Sequence, residues 1–365
     1  MFSPHDGRPS TSSYPPRVDA DQLSTADFIK NFLLPNKPVI ITNATKGWKA
    51  VEKFLGDDGK PDFDFLLQEF GRQTVPVTTC STGKVEKMPS SDEYRRNPFT
   101  DKYIRDWHLF SDTNDYSWYS IPRYCSNDWV NNRPAVTKEE RVRRRLPLLL
   151  HGSDTSFHAD VFNSYSWSAN ICGKKTWWML PEGGEKKLSK SEREIVDVRK
   201  DPKFEEAGRL RMPGEIVFVP SEHYHQVHNT GFTISLNHNW INSFNLPRVF
   251  RLMLERFEAA KKEVEKLDSG DFDPAKYVEE FLGLDYGINL HLAIKLCKAI
   301  LNEERPVGEA VGIDELVERC TCLRTDGEIC AECEAFNWAK DHEVCTEMLP
   351  KLEAELEQLN AKKWS

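Results

Sequence analysis

Phe157-His158-Ala159-Asp160 sets a histidine and a carboxylate two residues apart. On an extended segment that spacing puts both side chains on one face, because successive side chains alternate sides along a strand. Further along, Gly214-Glu215-Ile216-Val217-Phe218-Val219-Pro220 leads into Ser221-Glu222-His223-Tyr224-His225-Gln226-Val227-His228-Asn229. Two histidines and one carboxylate that leave metal positions open form the facial triad suited to non-haem Fe(II). His-x-Asp recurs by chance in many chains, and the second segment is what gives it weight. His158, Asp160 and one histidine of the 223–228 cluster are therefore the candidate iron ligands.

Strand parity tells where these groups would sit. After Asp160 the even positions read Ser164, Ser166, Ser168 and Asn170, and the odd ones read Tyr165, Trp167, Ala169 and Ile171. The polar face is the one that carries His158 and Asp160. The second segment repeats the pattern: Thr233, Ser235, Asn237 and Asn239 share one face, and Ile234, Leu236 and Trp240 share the other. A surface strand would also alternate, but two such strands beside histidines read as the walls of a wet pocket inside a barrel.

The elements that hold those strands follow from local signals. Residues 1–20 are rich in Pro, Ser and Asp and predict a disordered tail. Order is expected from Ser24, a helix cap with Asp27 three residues on, followed by the apolar stripe Phe28, Ile29, Phe32 and Leu33. Strands are predicted at 39–42, 74–79, 103–109 and 146–151, and a helix over 63–70 that Gly71 ends. Arg141-Val142-Arg143-Arg144-Arg145 reads as a solvated helix end in preference to a nucleic-acid patch. The charged stretch 181–211 reads as an excursion between barrel strands, a solvated insert in preference to a substrate contact. From 246 to 365 the apolar spacing is helical, with helices expected over 246–267, 274–284, 289–302, 314–320 and 342–362.

Cys320-x-Cys322 and Cys330-x-x-Cys333, with Cys345 beyond, form a second constellation. Close thiolate pairs around the Asp326-Gly327 turn can surround a tetrahedral zinc, a closed structural site with no open position. The spacing differs from that of common zinc fingers, and unpaired thiols in a helical region are the alternative.

Composition sets outer limits. The chain has 365 residues, with 58 acidic against 49 basic side chains and a net charge of −9. That balance argues against general nucleic-acid or membrane-surface binding and suits a basic protein partner. No apolar run approaches the length of a membrane span. Nine cysteines, with no charged-then-apolar order at the N-terminus, point to a reducing compartment, cytoplasmic or nuclear.

Taken together, His158-Ala159-Asp160, the lysine of Gly173-Lys174-Lys175-Thr176-Trp177-Trp178, the segment 214–220 and His225 resemble the JmjC family of Fe(II)- and 2-oxoglutarate-dependent oxygenases. Within it, the phrases at 103–109, 166–173 and 237–246 are most similar to the branch called jumonji-domain-containing protein four. The resemblance covers roughly 24–260. It implies an α+β fold: a double-stranded β-helix (a jelly-roll, cupin-like barrel) over 21–245 with flanking helices, then a helical C-terminal region over 246–365.

The family pattern places the third ligand five residues after Pro220 and four before Asn229, at His225. Lys175, fifteen residues after Asp160, matches the lysine that takes the distal carboxylate of 2-oxoglutarate, with Lys174 its rival. Its odd parity demands a register shift near Gly173. Tyr103 and Thr155 match hydroxyl contacts to the same carboxylate, and Ser168 stands where some relatives carry asparagine. Asn170 and Asn239 are expected to line the pocket and orient groups around the metal. The implied reaction couples oxidative decarboxylation of 2-oxoglutarate to oxidation of an unactivated C–H bond. In that branch the target is a lysine carbon in the Asn-Ile-Lys-Ser motif of the eukaryotic peptide-chain release factor, which supports translation termination. Two other readings use the same sequence: an N-methyl-lysine or arginine demethylase acting on histones, and a catalytically silent barrel that only binds.

Overall fold

A computed structural model of the chain describes residues 15–79, 84–90, 102–107, 117–130, 148–150, 155–180, 197–200, 208–211, 215–266, 273–286, 288–324 and 327–361, with a few single positions between. Order starts earlier than the capped helix. Arg17–Asp19 forms β1 and runs parallel to β2 (Val39–Thr42), with Arg17 opposite Ile40. The Arg17 guanidinium pairs with Glu215. The disordered tail expected over 1–20 is thus corrected at its end, because backbone pairing and one ion pair hold it; residues 1–14 lie outside the described residues.

Ser24 caps α1 (Thr25–Phe28), which continues as a wider turn over Ile29–Leu33. Its hydroxyl accepts the Asp27 N–H at 3.0 Å, a cap that contributes about 1 kcal/mol. The predicted stripe Phe28, Ile29, Phe32 and Leu33 is buried. After α2 (Lys49–Lys53), the helix α3 (Phe63–Phe70) begins at Asp62, whose carboxylate accepts the Phe65 N–H, and ends at Gly71.

The remaining strands are β3 (Thr74–Thr79), β4 (Val85–Pro89), β5 (Lys102–Trp107), β6 (Leu148–Leu150), β7 (Tyr165–Met179), β8 (Gly208–Arg211), β9 (Ile216–Val219) and β10 (His225–Trp240). They pair in the order β1-β2-β9-β7-β10-β6-β5-β3-β4, with β8 beside the far end of β7. This sheet curls into the double-stranded β-helix. The expected excursion over 181–211 returns as β8, where Leu210 pairs with Trp177. The basic run 141–145 lies outside the described residues.

The two faces of β7 divide the core as the parity requires. Tyr165, Trp167, Ala169 and Ile171 pack outward with Phe218, Leu236, Trp240 and the α1 stripe. Each fully buried aromatic of this layer is worth roughly 2–3 kcal/mol of transfer free energy. On the inner face, Ser166 and Ser168 stand opposite Val219 and Val217 of β9. Ile40, Val217, Val219, Trp177, Met179 and Val227 form the apolar part of the barrel interior.

β7 and β10 pair antiparallel from Tyr165 opposite Trp240 to Met179 opposite His225. The ladder is irregular between Thr230 and Ile234 and again between Ile234 and Ser235, with a net slip of the register. Gly173 sits there with φ +76°. A Cβ at that position would lie 2.2 Å from the Phe232 carbonyl oxygen and 2.5 Å from Thr233 Oγ1. The slip turns odd-numbered residues inward beyond Gly173, and Lys175 enters the barrel.

The C-terminal region is helical: α4 (Leu246–Val264), α5 (Pro274–Tyr286), α6 (Leu290–Leu301), α7 (Ile313–Arg319) and α8 (Ala331–Ala361). The last helix begins at Ala331, well before the expected 342, because Cys333 and Phe336 near its start are buried in the outer core of the barrel. α4, α5, α6 and the distal half of α8 share a second core with Trp129, Val130 and Ile241. Among the described residues no helix is long and apolar enough to cross a membrane.

Two glycines separate backbone strain from close packing. Gly231 also has positive φ, but a Cβ there meets nothing within 4 Å. Gly231→Ala should cost about 1 kcal/mol for the left-handed backbone alone. Gly173→Ala adds a backbone collision and should cost about 3 kcal/mol or more. Urea unfolding midpoints of the two variants measure the difference.

Candidate active site

His158 and His225 form an isolated antiparallel bridge that closes one end of the barrel. The His158 N–H donates to the His225 carbonyl at 2.9 Å, and the His225 N–H returns the bond at 2.8 Å. Their ring centroids lie 4.5 Å apart. His158 Nδ1 lies 2.7 Å from the Ser156 carbonyl, and His225 Nδ1 lies 3.0 Å from that of His223. A carbonyl can only accept, so in both rings Nδ1 carries the proton and Nε2 keeps its lone pair. That is the tautomer a metal ligand needs.

Asp160 completes the set. His158 Nε2 lies 3.9 Å from Asp160 Oδ1, and one ligand atom from each of His158, Asp160 and His225 falls within 4.8 Å of the others. The other carboxylate oxygen, Oδ2, accepts the Ser166 hydroxyl at 2.5 Å. One oxygen is held and one is left for a metal. Burial, and then the neighbouring His158, lower His225 to about 4, which keeps the ring neutral at physiological pH. Two nitrogens and one carboxylate oxygen on one side, with His158 38% exposed at the rim, match the chemistry of a facial Fe(II) site with open positions.

The other histidines have different occupations. His223 lies in the turn and lends its carbonyl to His225. His228 is on the opposite face, with its Nδ1 3.1 Å from an Arg199 guanidinium nitrogen. His238 stacks on Trp167 and bonds the Tyr119 hydroxyl.

Beneath the triad, Lys175 is 3% exposed. Its ammonium lies 2.9 Å from Ser235 Oγ and 3.3 Å from Ser168 Oγ, and 5.4 Å from the Trp177 ring. No carboxylate faces it among the described residues, and burial alone lowers its pKa to about 7. A buried cation served only by two hydroxyls fits a carboxylate that arrives with a ligand. Lys174, the rival, lies on the other face of the strand and is exposed.

The remaining expected residues divide. Ser168 shares the lysine. Asn239 stands opposite Ser166 and donates to Ser164 Oγ at 2.8 Å, close to the Asp160 end. Asn170 donates to the Gly173 carbonyl at 3.0 Å, so its amide braces the register slip. Thr155 is tied to the β10 backbone, its hydroxyl accepting the Val227 N–H at 2.9 Å. The Tyr103 backbone, in β5, pairs with Thr78 of β3, and its side chain lies outside the described residues. Sequence reasoning did not single out Ser166, Ser235 or Trp177, whose ring lies 5.4 Å from that of His225. The first two were visible on the polar faces, but spacing could not say which carboxylate or ammonium each would serve.

The rim behind Asp160 is strained and braced. Phe162 and Asn163 both have left-handed backbones, at φ 62° and 54°. Asn163 donates to Glu222 Oε1 and to the Arg248 carbonyl, each at 3.3 Å, and its own carbonyl accepts the Ser221 hydroxyl at 2.5 Å. Glu222 in turn pairs with Arg251 at 2.5 Å and Arg248 at 3.7 Å. The first turns of α4 therefore hold the loop that presents the carboxylate.

The sequence profile described as a cupin-like domain matches residues 25–246. The mouse 2-oxoglutarate and iron-dependent oxygenase JMJD4 is 35% identical over 67% of this chain and 64% of its own length. Its human counterpart is 34% identical over 70% of this chain and 69% of its length. This chain belongs to the cupin-like JmjC family, in the JMJD4 branch. The arginine-specific demethylase JMJ20 of Arabidopsis thaliana is also similar, 32% identical over 75% of this chain and 67% of that protein. The chain spans just under two thirds of the mouse relative.

Ser166→Ala leaves Asp160 Oδ2 without its donor and should weaken metal affinity about 10- to 100-fold with little change in fold. Titration calorimetry with Mn(II) under anaerobic conditions reads the shift, and an unchanged affinity would remove Ser166 from the metal site.

Proposed function

We propose that this chain is an Fe(II)- and 2-oxoglutarate-dependent protein hydroxylase that acts on a lysine carbon of the eukaryotic peptide-chain release factor and so supports translation termination in the cytoplasm. One observation carries the oxygenase reading. A triad with both Nε2 lone pairs available lies at the end of an inner barrel face that also carries a buried ammonium, which no carboxylate among the described residues faces. The release-factor assignment is supported by membership of the JMJD4 branch and by compatibility of a −9 chain with a basic target.

The residues fit both groups that the family name implies. His158, Asp160 and His225 would hold Fe(II), and Lys175 with Ser168 and Ser235 would hold the distal carboxylate of 2-oxoglutarate. When bound, these supply oxidative decarboxylation and the oxidant for an unactivated C–H bond. The protein's own work is positional. Ser166 fixes Asp160, and the carbonyls of Ser156 and His223 fix the two imidazoles. Trp177, Val217 and Val219 keep water from the interior, and the exposed edge of His158 leaves the substrate side open.

Lys175 gives this reading a pH signature. The ammonium form binds a carboxylate, so affinity for the oxalyl analogue N-oxalylglycine should be greatest below about pH 7 and weaken as pH rises through that value. Above it, binding should take up a proton, because the arriving carboxylate restores the charge that burial disfavours. Calorimetry in buffers of different ionisation enthalpy reads the proton directly. Lys175→Met should abolish both the binding and the uptake.

The substrate is tested by mass. Recombinant release factor incubated with the protein, Fe(II), 2-oxoglutarate and air should gain one oxygen on the lysine of its Asn-Ile-Lys-Ser motif, and an Asp160→Ala control should leave it unchanged. The demethylase name of the Arabidopsis relative makes methylated arginine peptides the comparison substrate. Loss of a methylene there, with no oxygen gained on the release factor, would replace the hydroxylase reading.

A further inference from the structure

Four cysteines lie at the junction between the barrel and the C-terminal helices. Cys320 ends α7, Cys322 lies in the short turn that follows, Cys330 precedes α8, and Cys333 lies in the first turn of α8. Their sulfur atoms all fall within 4.8 Å of one another. Cys320 Sγ is 3.9 Å from Cys330 Sγ and 3.5 Å from Cys333 Sγ. No disulfide joins any of the described cysteines. A zinc ion with four Zn–S bonds of about 2.3 Å places its sulfurs about 3.8 Å apart along each tetrahedral edge. The cluster has the spacing of that tetrahedron.

Hydrogen-bond donors face two of the sulfur atoms. The Cys330 N–H donates to Cys322 Sγ at 3.1 Å. The Ala26 N–H in α1 donates to Cys320, and the Thr25 hydroxyl, buried and otherwise unpartnered, lies against Cys322. Cys333 sits in the first turn of a helix of 31 residues, where the unpaired N–H groups favour negative charge. Four thiols packed this tightly would be a poor apolar filler, whereas four thiolates would repel one another unless a cation held them.

We propose that Cys320, Cys322, Cys330 and Cys333 bind one structural zinc ion that fastens the start of α8 to α1, and so makes the C-terminal helices part of the barrel module. The cluster is not a free-standing finger. Cys322, Cys330 and Cys333 belong to the barrel core with Leu23, Ala26 and Phe28. Lys30 pairs with Asp314 at 2.8 Å across the same seam, and Phe336 stacks on Phe244 just beyond β10. The site has no open position, so its contribution is to stability and to the placement of the helices that brace the Asp160 rim.

The full chain purified under reducing conditions should carry one zinc by elemental mass spectrometry, and the Asp160→Ala variant should keep it, because that variant disturbs only the triad. Exchange of the native chain into Co(II) should give the intense visible bands and sulfur-to-cobalt charge transfer of a tetrahedral thiolate site. A mercurial that titrates the thiols should release the zinc in step. Removal by a strong chelator should lower the melting temperature, and added Zn(II) should restore it. Cys320→Ser and Cys333→Ser should lose the ion, but the cobalt spectrum of the unmutated chain decides the matter even where those variants fail to fold. A well-folded chain that holds no zinc, takes up no tetrahedral cobalt and reacts as four ordinary thiols, or as disulfides, would overturn the proposal.

Discussion

The antiparallel pairing of β7 with β10 is the constraint on which the rest of the molecule depends. These two strands supply both walls of the site, and nearly every group that matters lies on one of them or is positioned against one. A ladder that ran unbroken would leave Lys175 on the outer face, since side chains alternate and its number is odd where Ser166 and Ser168 are even. The slip opposite Gly173 changes that parity once. It brings an ammonium into the interior at the depth of Ser235, and the Asn170 amide ties the slip down through the Gly173 carbonyl. The positive φ and the contact with Phe232 leave room only for glycine.

The site pairs two electrostatic problems that a bound ligand set would solve together. Three ligand atoms converge, with the Nε2 lone pairs on the ring edges opposite the Nδ1 protons, and a buried ammonium on the same inner face meets no carboxylate among the described residues. Each is costly alone in a low-dielectric interior. A cation held by His158, Asp160 and His225 and a ligand carboxylate at Lys175 would satisfy both. Burial by itself pushes Lys175 down to about 7.

The helical C-terminal region supports the barrel rather than standing apart from it. Arg248 and Arg251 of α4 hold Glu222 and, through Asn163, the left-handed turn behind Asp160. The start of α8 joins the outer core of the barrel, and its distal half packs with α6 in the second core. Position at the metal rim and stability of the far helices are therefore linked by contiguous packing. α4 is the element common to both.

Much of this was legible in the residues. Local chemistry determined the Ser24 cap, the end of α3 at Gly71, and the C-terminal helices, because capping and apolar periodicity act over a few positions. Period-2 alternation identified the polar face of β7, and once the family resemblance placed Lys175 in the pocket, its odd parity required the slip near Gly173. Other features required the tertiary structure, because they join residues distant in sequence. That Arg17–Asp19 is a strand depends on β2. The early start of α8 depends on burial of Cys333 and Phe336 in the outer core of the barrel, with Phe336 against Phe244 just beyond β10, which no helical periodicity within α8 can reveal. Only the folded chain decided that Ser166 serves Asp160 and Ser235 serves Lys175, since alternation gives the face of a residue and not its partner across the barrel.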